Sequence, residues 1–212
     1  MIILKPFTSV RDLDNPYTTH LHFEGPAIKP FYMRGAIAWP EGKKEGFALM
    51  AGMDLRERII IIFEEFRFWT IPHWFNDDGT IHARDDGEGY HIGLIEFLQD
   101  NLSKYKAASY FLGGQHVDVQ TRWRTDVYRN PEVTRRLEMI EVPYVSEIGD
   151  ELLLEKLKTR KFKGATDSLL DKSVRQFNNM QTTNVEHDNA VLALKSLLAG
   201  FEHQPWVEIR GE

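Results

Sequence analysis

The chain carries a strongly apolar helical segment near its end, VEHDNAVLALKSLLAGF (185–201), which opens on His187, Asp188 and Asn189. A carboxylate at such a point can do two kinds of chemistry. As a helix cap it accepts backbone amides and gains about 0.3–1 kcal/mol from the helix dipole. As a metal ligand it supplies the hard oxygen that Mg²⁺ selects. Thr182, Thr183 and Asn184 lie close by and could cap equally well. The helix is apolar on nearly all sides, with Val191 and Leu192 flanking the face of Asp188. The carboxylate is therefore expected near buried surface, where it needs a metal or a donor to offset its desolvation.

Two basic stretches could meet phosphate. QTRWRTDVYRNPEVTRR sets Arg122, Arg124, Arg129, Arg135 and Arg136 beside Trp123 and Tyr128. Arginine grips phosphate through a forked geometry, and the aromatics can stack on bases or sugars. KLKTRKFKG adds Lys156, Lys158, Arg160, Lys161 and Lys163. The ordinary alternative for both is a solvated helix face. FNDDGTIHARDDGEGY gathers Asp77, Asp78, Asp85, Asp86 and Glu88 near His73 and His82, but lacks the calcium-loop spacing. It reads as a solvated loop that repels DNA. Asp54 lies in a turn expected at Gly52 to Asp54 and reads as turn chemistry.

These residues need elements to hold them. Residues 1–30, with Pro6, Pro16, Pro26 and Pro30, read as an extended arm, and 31–212 as one domain. YMRGAIAWPEG, KKEGFALMAGMD and RERIIIIFEEFRFWTI form an antiparallel meander. A helix follows at about 90–104, then the buried strand AASYFLGG, the strand MIEVPYV, helical segments at about 147–160 and 167–178, and the last helix. A meander leading through a helix into parallel strands predicts a mixed sheet with helices on both faces. Hydrophobic and charged contents of 42% and 27% are those of a globular chain. The formal charge of −6 excludes a generally basic nucleic-acid coat, so any such contact must be a local patch. With no cysteine there are no disulfides or thiolate metal sites. No apolar run of about 18 residues is present, so a soluble, cytoplasmic protein that does not enter membranes is expected.

RGAIAWPEGKKEGFALMAGMDLRERIIIIFEEFRF resembles the opening meander of phage terminase large-subunit nuclease domains, and DELLLEKLKTRKFKGATDSLLDKSVRQFNN followed by VEHDNAVLALKSLLAGF is similar to that family's end. The likeness spans roughly residues 33–201. It implies a ribonuclease-H-like α/β fold and phosphodiester cleavage with two divalent ions, Mg²⁺ or Mn²⁺, held by carboxylates. Those carboxylates come from the first strand, the end of the fourth strand and the start of the last helix. Asp188 fills the last position. Ala36 or Ala38 stands where the first-strand Asp is expected, leaving Glu41 as the nearby substitute. Gly113 and Gly114 stand where the fourth strand would supply an acid, with His116 and Asp118 just beyond. No Gly-x-x-x-x-Gly-Lys-Ser/Thr loop occurs, so the packaging ATPase is not encoded here.

The resemblance thus implies a DNA-packaging nuclease-like domain acting on double-stranded DNA in the host cytoplasm. Asp188 and Asp118 are its candidate catalytic and metal-binding residues, with Glu41 as a further ligand. Arg122, Arg124, Arg129, Arg135, Arg136 and Lys161 are its candidate DNA contacts. The alternative is a catalytically degenerate module of the same fold that docks on a packaging ATPase or portal protein.

Overall fold

A computed structural model describes residues 8–11, 18–22, 28–39, 45–68, 94–106, 109–113, 138–142, 147–180 and 188–203. Its elements in chain order are β1 (Thr8–Arg11), β2 (Thr18–His22), β3 (Ile28–Ala38), β4 (Gly46–Asp54), β5 (Ile60–Phe68), α1 (Leu94–Tyr105), β6 (Ser109–Gly113) and β7 (Glu138–Val142). They continue with α2 (Glu147–Lys158), β8 (Phe162–Lys163), α3 (Leu169–Met180) and α4 (Asn189–His203). The alternation of β-branched and aromatic residues that predicts the meander is met by β3, β4 and β5. Each is antiparallel to the next, from Phe31↔Asp54 to Ala38↔Phe47 and from Gly46↔Phe68 to Met53↔Ile60.

The far edge of β3 is shared. Its first residues pair with β2 in antiparallel fashion, from Thr18↔Tyr32 to His22↔Ile28. Farther along, Gly35, Ala36 and Ile37 pair in parallel with Tyr110, Phe111 and Leu112 of β6, and β7 continues parallel to β6. β8 adds a short parallel edge to β5 at Ile60↔Phe162 and Ile61↔Lys163. Residues 8–11 and 18–22, within the stretch read as an extended arm, are thus sheet strands packed on the domain.

Each face of the sheet carries its own core. Tyr32, Ala36, Ala38, Phe47, Leu49, Ile62 and Phe111 pack with Leu194, Leu197 and Leu198 of α4, Leu153 of α2 and Leu170 of α3. Phe31, Met33, Ile37, Met50, Phe63 and Tyr110 pack with Leu94, Leu98 and Tyr105 of α1 on the other face. β4 is buried at every position, as expected of a strand covered on both sides. A bulge lies where Met50↔Glu64 is followed by Ala51↔Ile62. The residue skipped is Phe63. Phe63 keeps the α1 face that Ile61 holds, and the phase change gives that face the Phe66–Phe97 ring stack and turns Glu65 toward α3.

Gly35 permits a close contact between two strands. A Cβ there would lie 2.2 Å from the Tyr110 ring, so only glycine lets β6 seat beside β3. Gly149 does the same between helices, where a Cβ would stand 2.8 Å from Cβ of Lys195. Among the described residues no helix is long and apolar enough to cross a membrane.

Candidate functional site

α4 begins at the end of the sheet toward which β3 and β6 both run. Asn189, 1% exposed, donates its Nδ2 to the carbonyls of Trp39 (3.2 Å) and Glu45 (2.6 Å). That amide ties the first turn of α4 to the residue after β3 and the residue before β4. Ala38 and Gly113 are the carboxyl ends of two adjacent parallel strands, and the chain departs from β3 to an antiparallel neighbour on one side and meets β6 on the other. Crevices outside such strand ends, at the switch in strand order, are where open α/β sheets bind ligands.

Asp188 stands at this end and is exposed, not set against buried surface as the apolar helix suggests. Its Oδ1 accepts from the amide of Ala190 (3.4 Å) and its carbonyl accepts from that of Leu192 (3.1 Å), the arrangement of an N-cap. Its Oδ2 accepts from the Ser173 hydroxyl of α3 at 2.6 Å. The cap reading of this carboxylate is therefore realised. Its other oxygen has a short donor from a neighbouring helix.

Ala36 and Ala38 are 0% and 4% exposed on the α4 face, packed in the apolar cluster beneath that helix. Neither can ligate a cation. Glu45 was not among the sequence candidates, yet its backbone is bound to Asn189 at this same end and its carboxylate pairs with Arg67 at 3.3 Å. Glu41, His116 and Asp118 lie outside the described residues, as do Arg122, Arg124, Arg129, Arg135, Arg136 and the acidic loop at 75–90. Among the described residues no three His, Asp or Glu side chains gather as a metal site. The described residues alone thus do not fit a two-ion centre, which needs carboxylates around ions about 3.5–4 Å apart.

Lys161 is exposed and far from Asp188 in the sheet. Its carbonyl accepts the amide of Ile60, at the start of β5 and beside the β4–β5 turn. That turn is closed by Asp54, whose Oδ1 accepts the amides of Arg56 (2.8 Å) and Glu57 (3.2 Å), the turn role expected of it. With about 3.3 Å per strand residue, the length of β4 separates the two ends by roughly 25 Å.

Among the described residues two buried cations escaped sequence reading because alternation and helical period do not mark them. Arg34 of β3 is 2% exposed and donates to the carbonyl of Met33 (2.9 Å) and the hydroxyl of Tyr32 (2.7 Å). Lys195 of α4 is 1% exposed, is ion-paired with Asp150 of α2, and lies 5.9 Å from the centre of the Phe177 ring. Two helical turns separate Lys195 from Asp188, so the pair fixes α4 against α2 on the side from which Asp188 projects.

A sheet in the order β5-β4-β3-β6-β7, antiparallel through its first three strands and parallel through its last two, with helices on both faces, is a ribonuclease-H-like α/β fold. No protein-family model matches the chain, and no curated protein matches it in sequence. Among solved structures it is similar to the human cytomegalovirus terminase nuclease domain. In a manganese-soaked, inhibitor-bound form of that domain the TM-score is 0.49 at 8% identity, covering 84% of this chain and 85% of that one. A second structure of the domain gives 0.47 at 9% identity over the same shares of each chain.

Proposed function

We propose that this chain is a terminase-type nuclease-like domain that binds double-stranded DNA at the carboxyl ends of β3 and β6 during viral genome packaging. One observation carries the reading. Asn189 holds the start of α4 against the ends of β3 and β4, so Asp188 stands where an open α/β sheet meets its ligand. Glu41 follows Trp39 by two residues and Asp118 follows Gly113 by five, so both belong to segments leaving the same strand ends. Cleavage in this reading requires those two carboxylates to join Asp188 around Mg²⁺ or Mn²⁺, ions that oxygen ligands suit. The ions would supply charge neutralisation at the phosphate. The chain's own part is to hold Asp188 in place through Ser173 and Asn189. Arg122, Arg124, Arg129, Arg135 and Arg136 serve in this reading as phosphate contacts.

A second reading is favoured by Ala36 and Ala38. With the first-strand position apolar and covered by α4, the fold serves as a non-catalytic module on a packaging ATPase or portal protein.

Plasmid cleavage with Mg²⁺ or Mn²⁺ separates the two. Asparagine caps helices about as well as aspartate, whereas alanine costs about 0.5–2 kcal/mol at that position. The nuclease reading expects cleavage by the native chain that a chelator and Asp188→Asn both abolish, while Asp188→Asn keeps the native urea midpoint. Asp188→Ala should lose cleavage and lower the midpoint. If no divalent ion elicits cleavage by the native chain, the nuclease role is refuted and the module reading stands.

A further inference from the structure

At the end of the sheet remote from Asp188, two turns lie side by side. One joins β4 to β5 through residues 55–59 and the other leaves α2 through residues 159–161 into β8. The amide of Ile60 donates to the carbonyl of Lys161 at 2.9 Å, and β8 continues the union by pairing with Ile60 and Ile61. Segments 55–59 and 158–163 hold Arg56, Arg58, Lys158, Arg160, Lys161 and Lys163 against a single acid, Glu57, in a chain whose net charge is −6. Arg56, Arg58, Lys158, Arg160 and Lys161 are exposed and Lys163 is half-buried.

The backbone of both turns is set unusually. Arg160 has φ 54° and Arg58 has φ 59°. α2 ends with Arg160 donating to Leu157 (3.3 Å) and Lys161 donating to Lys156 (3.1 Å), the paired bonds of a Schellman ending whose left-handed residue is ordinarily glycine. Arg58, whose amide donates to the carbonyl of Asp54 at 2.9 Å, likewise occupies a conformation that glycine or asparagine adopts more readily. At two adjoining turns the chain thus keeps an arginine where glycine would be conformationally cheaper. Among the described residues two more non-glycine positions are left-handed, Lys106 and Asp167, and the two arginines are the pair that meet in one patch.

The leucine and phenylalanine of the two segments face inward. Leu55 and Phe162, with Leu157 just before the second segment, pack on the core cluster beneath α4, and Ile59 is half-buried, leaving the outer surface to charge. A protein-docking surface needs an apolar centre, whereas a phosphate-contacting one is polar and cationic. A duplex offers a phosphate charge about every 1.7 Å of its axis, enough to occupy several of these cations together.

We propose that the paired turns 55–59 and 158–163 form a second, sequence-independent contact for the phosphate backbone of double-stranded DNA, at the end of the sheet opposite Asp188. This rests on the DNA reading above but names a different surface. Such a contact positions a duplex and carries no base readout.

The test is equilibrium binding of a blunt duplex of about 20 base pairs, in chelator and across a salt series, by the full chain and by Arg58→Gly combined with Arg160→Gly. The two glycines relieve the left-handed backbone, so the variant should unfold at the native midpoint or above it. It should nevertheless bind more weakly, and the slope of log K against log salt should fall by about 1.8, at about 0.9 per phosphate lost. A second variant, Lys158→Gln with Lys161→Gln, should weaken binding by a similar factor. If the native chain binds and both variants keep its affinity and slope, the contact is refuted while the Asp188 reading is untouched. If the native chain binds no duplex in chelator, the contact is refuted, and the Asp188 reading is decided by the cleavage test with Mg²⁺ or Mn²⁺.

Discussion

Asp188 shows how one side chain can serve local structure and still be available for chemistry. Its Oδ1 holds the first turn of α4 and its Oδ2 takes the Ser173 hydroxyl at 2.6 Å, yet the residue is exposed. The spacing in EHDNAV makes a carboxylate at a helix start legible. The donor Ser173 is fifteen residues away on another helix, and nothing in the sequence couples the two. Titration belongs to this scale as well. Burial raises the phenol of Tyr110, and burial followed by the hydrogen bond to Glu64 raises that of Tyr105. A phenol raised in the fold ionises first in the unfolded chain, at about pH 10. The stability it contributes is therefore whole below about pH 10 and is lost as pH rises beyond it. Each such group steepens that loss by up to about 1.4 kcal/mol per pH unit. Tyr110→Phe should accordingly flatten the fall of the urea midpoint between about pH 9 and about pH 11. An unchanged slope would mean that Tyr110 ionises in place.

Elements are held together here by polar side chains at their ends as much as by apolar faces. Glu65 of β5 accepts the first amides of α3, from Leu169 at 2.8 Å and Leu170 at 3.1 Å. Ser168 accepts the amide of Asp171 at 3.1 Å, and the carboxylate of Asp171 accepts that of Asp167 at 2.9 Å. A helix start satisfied from a strand 104 residues earlier is a tertiary device, invisible to capping patterns read along the chain. Glu65→Ala should lower stability by about 1–2 kcal/mol, since it strands two amides at a partly buried helix end. Glu65→Gln, which keeps one acceptor, should lose less. Denaturant unfolding of the two variants checks the order, and equal losses would assign the effect to packing. The bulge at Phe63 matters for the same reason. Without that phase change Glu65 would face α1 and α3 would lack its acceptor.

At the scale of the whole molecule, the sheet is larger than the meander and its parallel extension. Leu21 of β2 is 0% exposed and belongs to the cluster that Phe31, Met33 and Tyr110 share with α1. Leu21→Ala should therefore cost about 2–5 kcal/mol, as core truncations do, and shift the midpoint of the single unfolding transition. A loss below about 0.5 kcal/mol, the usual range for surface sites, would show that the β1–β2 hairpin is dispensable. The sequence by itself determined the order of the described strands and helices from residue 31 onward except β8, because hydrophobic period and glycine-proline punctuation are local properties, whereas a two-residue edge strand carries no period of its own. It determined equally that a carboxylate opens the last helix and that the first-strand position is alanine. Tertiary structure alone decided that residues 8–11 and 18–22 pair into the sheet, and that β6 shares an edge of β3 with β2. It also decided that Asp188 and the basic turns occupy opposite ends of that sheet, although the sequence sets Lys161 only 27 residues before Asp188. The physical reason is common to all three. Period and propensity act over a few residues, whereas which edges pair and which ends coincide depends on contacts between segments distant in the chain.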